Sequence, residues 1–182
     1  MISKLKRLFS KVKRYAIVGA PCSGKTTTID ILKKRGYNVV HEMAREIVEE
    51  EQSKKGGSLF PWIVIHKFQL KILRNYLQAE DKIKEGIVFS DRGIGDGLAY
   101  YYHEVITPPK ELVDEMKKKR YDKVFYLDAL EYKTDRVRNE GKEVASRVGR
   151  KILETYRKFG YKVVVVPVMS VEERVDFIVS RL

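Results

Sequence analysis

Eight consecutive residues, Gly19-Ala20-Pro21-Cys22-Ser23-Gly24-Lys25-Thr26, have a spacing that is by itself a statement about chemistry. Two glycines bracketing four residues let the backbone curl until successive N–H groups point inward, and a helix opening behind them adds the positive end of its dipole. Such a concavity suits phosphate. Lys25 supplies a mobile positive charge for the β- and γ-phosphates of a nucleoside triphosphate, and the Thr26 hydroxyl is a hard oxygen ligand of the kind Mg2+ prefers. With Thr27, these residues are the candidate nucleotide-binding stretch. Cys22 occupies a position the spacing leaves free and reads as a small residue that fits rather than as a redox switch.

Further chemistry-bearing residues follow apolar runs. Asp91 closes Ile87-Val-Phe-Ser-Asp91 and precedes Arg92. A carboxylate at that edge either caps the next helix or orders Mg2+ through its water shell, and the glycine loop favours the metal reading. Arg92 is a candidate for holding a phosphate or an acceptor group. Glu42 begins Glu42-Met-Ala-Arg45-Glu46 after a second apolar run. Two roles fit it, a general base and a helix-start carboxylate favoured by the dipole. Arg136 and Arg138, with Arg147 and Arg150 behind them, form a cationic stretch able to screen charge in phosphoryl transfer, or else a solvated basic loop. In Tyr100-Tyr-Tyr102-His103 some rings must be core, because three consecutive residues cover most of a helix's circumference.

These residues need a frame, and the hydrophobic pattern supplies one. Five apolar runs, Tyr15–Gly19, Tyr37–Glu42, Ile87–Asp91, Lys123–Asp128 and Lys162–Pro167, alternate with helical stretches, the pattern of a parallel α/β sheet. Their nearly unbroken Val, Ile, Phe and Leu content predicts strands covered on both faces. One helix starts in the glycine loop and ends near Arg35, before Gly36. Others are expected over Trp62–Lys84, from about Val144 to Phe159, and after an N-cap at Ser170. Glu42 and Asp91 both fall at carboxyl ends of strands, where open α/β sheets bind ligands.

The length of 182 residues suits one domain, expected over 14–182 behind a basic N-terminal arm, 1–13. The arm interleaves Lys4, Lys6, Arg7 and Lys11 with Leu5, Leu8 and Phe9, a pattern fit for docking on its own domain or on an anionic membrane. A net charge of +12 implies affinity for polyanions, which nucleotides, RNA and acidic lipid all satisfy. No apolar run is long enough to span a bilayer. A single cysteine and the lack of a visible signal peptide fit a reducing cytoplasm. Three scattered histidines offer no zinc-ligand spacing.

Taken together, Gly19-Ala-Pro-Cys-Ser-Gly-Lys-Thr-Thr27, Glu42-Met-Ala-Arg-Glu46, Ser90-Asp-Arg-Gly93 and Arg120-Tyr-Asp-Lys-Val-Phe-Tyr-Leu-Asp128 resemble the ATP/GTP-binding P-loop family. That family includes the ribosylnicotinamide kinase domain of bacterial NAD-metabolism regulators. The Asp-Arg pair is also similar to the pattern in deoxynucleoside and thymidylate kinases. The resemblance implies a three-layer fold with a five-stranded parallel sheet in kinase-type order 2-3-1-4-5. It also implies ATP with Mg2+, and transfer to an unidentified small acceptor. No Asn-Lys-x-Asp segment is present for reading guanine, so ATP is preferred and GTP is the alternative. Two functions fit, a small-molecule kinase and a nucleotide-dependent switch with a lipid, RNA or protein partner.

Overall fold

Val, Ile, Phe and Tyr crowd into five short runs because the inner strands must be apolar on two faces at once; at the sheet edges the cover thins, and Val165 of the last run is 39% exposed. A computed structural model of the chain describes residues 12–53, 65–128 and 142–182. In chain order the elements are β1 (Lys13–Gly19), α1 (Lys25–Lys34), β2 (Asn38–Val40), α2 (Met43–Ser53), α3 (Ile65–Lys82), β3 (Ile87–Asp91), α4 (Ile94–His103), α5 (Lys110–Lys117), β4 (Lys123–Leu127), α6 (Lys142–Lys158), β5 (Val163–Val166) and α7 (Val171–Val179). The sheet is parallel throughout, in the order β2-β3-β1-β4-β5.

β1 is central, and its side chains alternate between two cores. Ala16 and Val18 face a cluster with Leu98 and Tyr101 of α4, Leu112 and Met116 of α5, and Val148, Ile152 and Tyr156 of α6. Tyr15 and Ile17 face Ile29 and Leu32 of α1 and Val175 and Ile178 of α7. Helices on both sides of one sheet make the three-layer α/β fold expected from the sequence. A side chain such as Ile17, with no exposed surface, contributes roughly 1.5–3 kcal/mol by leaving water.

Boundaries shift where the sheet ends. β1 begins at Lys13 because Lys13 pairs with Ile87, and Asp122 accepts from the Arg14 N–H at 2.9 Å. β2 stops at Val40, two residues before Glu42, because it is an edge strand whose last partner is Ser90. α5 is an element that the periodicity did not reveal; only Leu112 and Met116 turn fully inward from an otherwise charged stretch. Ser170 caps α7 as expected, with its hydroxyl accepting from Glu173 N–H and its own N–H donating to Glu173 Oε2 at 2.9 Å. Among the described residues no helix is long and apolar enough to cross a membrane.

Candidate functional site

The phosphate loop lies where β1 hands over to α1. Gly19 has φ 151°, and a Cβ on it would lie 2.6 Å from the Leu127 carbonyl oxygen, so the neighbouring strand leaves room for glycine alone. Gly24 caps α1 in the left-handed region at φ 84°. Cys22 adopts φ 62°, a conformation costly for a residue with a side chain, and the loop's closure holds it there. Lys25 is 5% exposed. Its Nζ donates to Ala20 O at 2.7 Å, Gly19 O at 3.1 Å and Ser23 Oγ at 3.3 Å. Burial, aided by the charge of Arg92, pushes its pKa down to about 7, against the pull of Asp91, Asp96 and Glu42.

β3 lies directly beside β1, with Asp91 in register with Ile17. That adjacency brings Asp91 to the loop: its Oδ2 accepts from Thr26 Oγ1 at 2.9 Å, while Oδ1 is buried with no hydrogen-bond partner among the described residues. Burial raises the pKa of Asp91, opposed by Arg92 and Lys25. An orphaned carboxylate oxygen beside a threonine hydroxyl is a hard, oxygen-only donor set. It fits Mg2+, which takes few protein ligands and completes its shell with phosphate and water. Among the described residues no three His, Cys, Asp or Glu side chains converge into a metal cage.

Across the loop stands a second pair. Arg92 Nε lies 2.7 Å from Glu42 Oε1, with both side chains mostly buried. The Nε–H does not aim along that line, so the contact is ionic rather than a well-directed hydrogen bond. Arg92 takes φ 72°, again left-handed, which turns its side chain out of the strand direction. The sequence-derived candidates Asp91, Arg92, Glu42, Lys25 and Thr26 thus gather at one end of the sheet. Arg136, Arg138 and residues 1–11 of the basic arm lie outside the described residues, as does the Arg45 side chain. Of the tyrosine run, Tyr101 is core, its hydroxyl 3.2 Å from His66 Nδ1.

Four residues not singled out from the sequence complete the site. Asp96 is buried in the first turn of α4, where its Oδ2 accepts from Gly93 N–H at 3.1 Å and from the Tyr156 hydroxyl at 3.0 Å. A carboxylate three residues beyond Gly93 is a helix-start signal, and the sequence does carry it. Tyr156 also accepts from Gly95 N–H at 3.1 Å, and its ring leaves no room for a Cβ at Gly93 or Gly95. α6 meets the loop at Gly149, where a Cβ would lie 2.8 Å from Ala20 Cβ and 3.2 Å from Ala20 Cα. On the same helix Glu143, Ser146, Arg147 and Arg150 share an exposed face. Arg174, from α7, donates to Ser23 O at 2.6 Å. Nothing in a Glu-Glu-Arg helix start distinguishes it from a surface residue.

Comparison with the curated proteins gave no match. Among solved structures, thymidylate kinase from Ehrlichia chaffeensis aligns with a TM-score of 0.63 at 18% identity, covering 93% of this chain and 98% of that one. Deoxyadenosine kinase from M. mycoides aligns with products dCMP and a flexible dCDP bound (TM-score 0.61, 16% identity, 92% of this chain and 97% of that one). The same enzyme with bound dATP gives 0.60 at 19% identity, covering 93% and 98%. These likenesses establish a nucleoside and nucleotide kinase-like P-loop fold. The family model that matches is described as an AAA domain and spans residues 14–174. Its name evokes a motor-type sheet, yet here no strand intervenes between β1 and β3, which is the kinase order. Matched over nearly its whole length and built on the same phosphate loop, the chain belongs to this AAA domain family of P-loop proteins.

Proposed function

We propose that the protein is an ATP-dependent phosphotransferase that moves the γ-phosphoryl group, with Mg2+, to a small nucleoside- or nucleotide-like acceptor. The observation that carries this reading is the mostly buried Glu42–Arg92 pair, 2.7 Å apart and separate from the Thr26–Asp91 pair. A nucleotide switch has no need of a second carboxylate and arginine beside the loop. The thymidylate kinase neighbour, and the deoxyadenosine kinase neighbour solved with dATP and with products dCMP and dCDP, support the acceptor class.

In this mechanism the backbone N–H groups of Gly24, Lys25, Thr26 and Thr27 at the start of α1 and the Lys25 amine bind the β- and γ-phosphates. Thr26, and Asp91 through water, would hold Mg2+, which when bound would supply neutralisation of charge on the phosphate oxygens. Glu42 accepts the proton of the attacking acceptor hydroxyl as the new P–O bond forms; the bond from the γ-phosphorus to the bridging oxygen breaks and ADP leaves. Arg92 orients Glu42 and steadies the transferring group. Arg136 and Arg138 complete the screening from the segment ahead of α6. GTP is the alternative donor.

The test is ADP release against a panel of nucleosides and nucleoside monophosphates, with the wild type and Glu42→Gln in parallel. One acceptor should stimulate the wild type strongly, and Glu42→Gln should keep ATP affinity while losing about a hundredfold of that stimulated turnover. A flat, slow rate with every acceptor would return the protein to the switch reading. Full activity in the variant would assign the base elsewhere.

A further inference from the structure

Arg174 sits in the first turn of α7, yet only 1% of it is exposed. Its Nη1 donates to Ser23 O at 2.6 Å and its Nη2 reaches Asp128 O at 3.4 Å. The Nε–H is buried with no partner among the described residues. Taking a guanidinium out of water is costly, and apolar side chains from the same helix, Val175 and Ile178, already fasten α7 to the sheet. A purely structural tie has no need of a cation there. The carbonyl it holds most closely belongs to the phosphate loop.

The Ser23–Gly24 peptide is trans, so its C=O and N–H point opposite ways and fixing one fixes the other. Gly24 is the N-cap of α1, and its N–H is among the donors that a helix start leaves without a backbone partner. We propose that Arg174 is a positioning residue for the phosphate loop: it anchors the Ser23 carbonyl so that Gly24 N–H stands ready for a phosphate oxygen. Anion binding at the loop thereby depends on this one side chain of the C-terminal helix and not on the strength of the helix's apolar packing. The inference rests on the reading that the loop takes the phosphates of a nucleoside triphosphate. It is independent of the acceptor and of Glu42.

Titration calorimetry with ATP plus Mg2+, and separately with inorganic tripolyphosphate, tests it on the full chain. The comparison covers wild type, Arg174→Met, Arg174→Lys and Val175→Ala, the last loosening α7 without touching the loop. Arg174→Met should weaken both ligands at least tenfold, Arg174→Lys should recover part of the loss, and Val175→Ala should keep wild-type affinity despite a lower Tm. Wild-type affinity in Arg174→Met, or an equal loss in Val175→Ala, overturns the inference while leaving the nucleotide reading intact. A wild type that binds neither ligand removes the nucleotide reading and this inference with it. If Arg174→Met does not fold, the Gly24 amide resonance decides: it should move in Arg174→Lys and stay in place in Val175→Ala, and an unmoved resonance in Arg174→Lys overturns the proposal.

Discussion

Thr26 and Asp91, sixty-five positions apart in the chain, meet at 2.9 Å because β3 is the immediate neighbour of β1. The contact joins the first turn of α1 to the end of a strand and leaves one carboxylate oxygen buried and unpartnered among the described residues. Asp91→Asn keeps the shape and removes the charge. ATP affinity measured with and without Mg2+ should then show the metal's contribution reduced about 10–100-fold, with metal-free affinity little changed. An unaltered magnesium effect would take Asp91 out of the metal's surroundings.

Lys25 directs all of its donors into the loop, and it is the only lysine in it. Lys25→Ala should weaken ATP binding at least tenfold, about 1.4 kcal/mol or more, in a calorimetric titration. Unchanged affinity would dissociate this loop from the nucleotide.

Asp96 predicts a pH effect. Burial pushes its carboxyl from 3.8 up to about 6, overcoming Arg92, Lys25 and the hydrogen bonds from Tyr156 and Gly93. The folded protein therefore binds this proton more tightly than the unfolded chain does. The stabilisation that results is complete below about pH 4 and lost as pH rises through 6. Asn at this position keeps a hydrogen-bond acceptor and cannot ionise. Urea unfolding should show Asp96→Asn gaining on the wild type as pH rises from 4 to 7, by up to ~3 kcal/mol, and levelling off above. A gap independent of pH would mean that the carboxyl stays ionised throughout.

Gly149 allows α6 to touch Ala20 of the loop. Neither Ala20 Cβ nor its Cα can rotate away, so Gly149→Ala must push the helix outward, at a cost of roughly 1–3 kcal/mol. The expected result is a lower Tm together with several-fold weaker ATP binding. A loss of stability alone, with affinity retained, would show that α6 can shift without disturbing the loop.

The sheet was legible because strands covered on both faces are almost continuously apolar, and the loop because its spacing follows from what a phosphate demands of the backbone. Asp91, Arg92 and Glu42 could be proposed for the site because they follow such strands. The sequence hid whatever depends on contacts between distant segments. Gly149 sits in a helix where glycine looks like a weakness until Ala20 is found against it. Tyr156 reads as one more apolar position in α6, and only its hydroxyl, lodged between Gly93 and Gly95, distinguishes it. Arg174 has a charge that points to solvent in any one-dimensional reading, and α5 buries too few residues to leave a periodic trace.

The central position of β1 also sets the order in which the protein can be made. The loop leaves the ribosome before both strands that flank it, β3 and β4, and well before the arginine that holds Ser23. At roughly 5–20 residues per second, about seven to thirty seconds separate synthesis of Thr26 from that of Arg174. For the first part of that interval the loop lacks its neighbouring strands, and for all of it the loop lacks the arginine. A ribosome-bound fragment ending before α7 therefore carries the loop with its Ser23 carbonyl not yet held by Arg174.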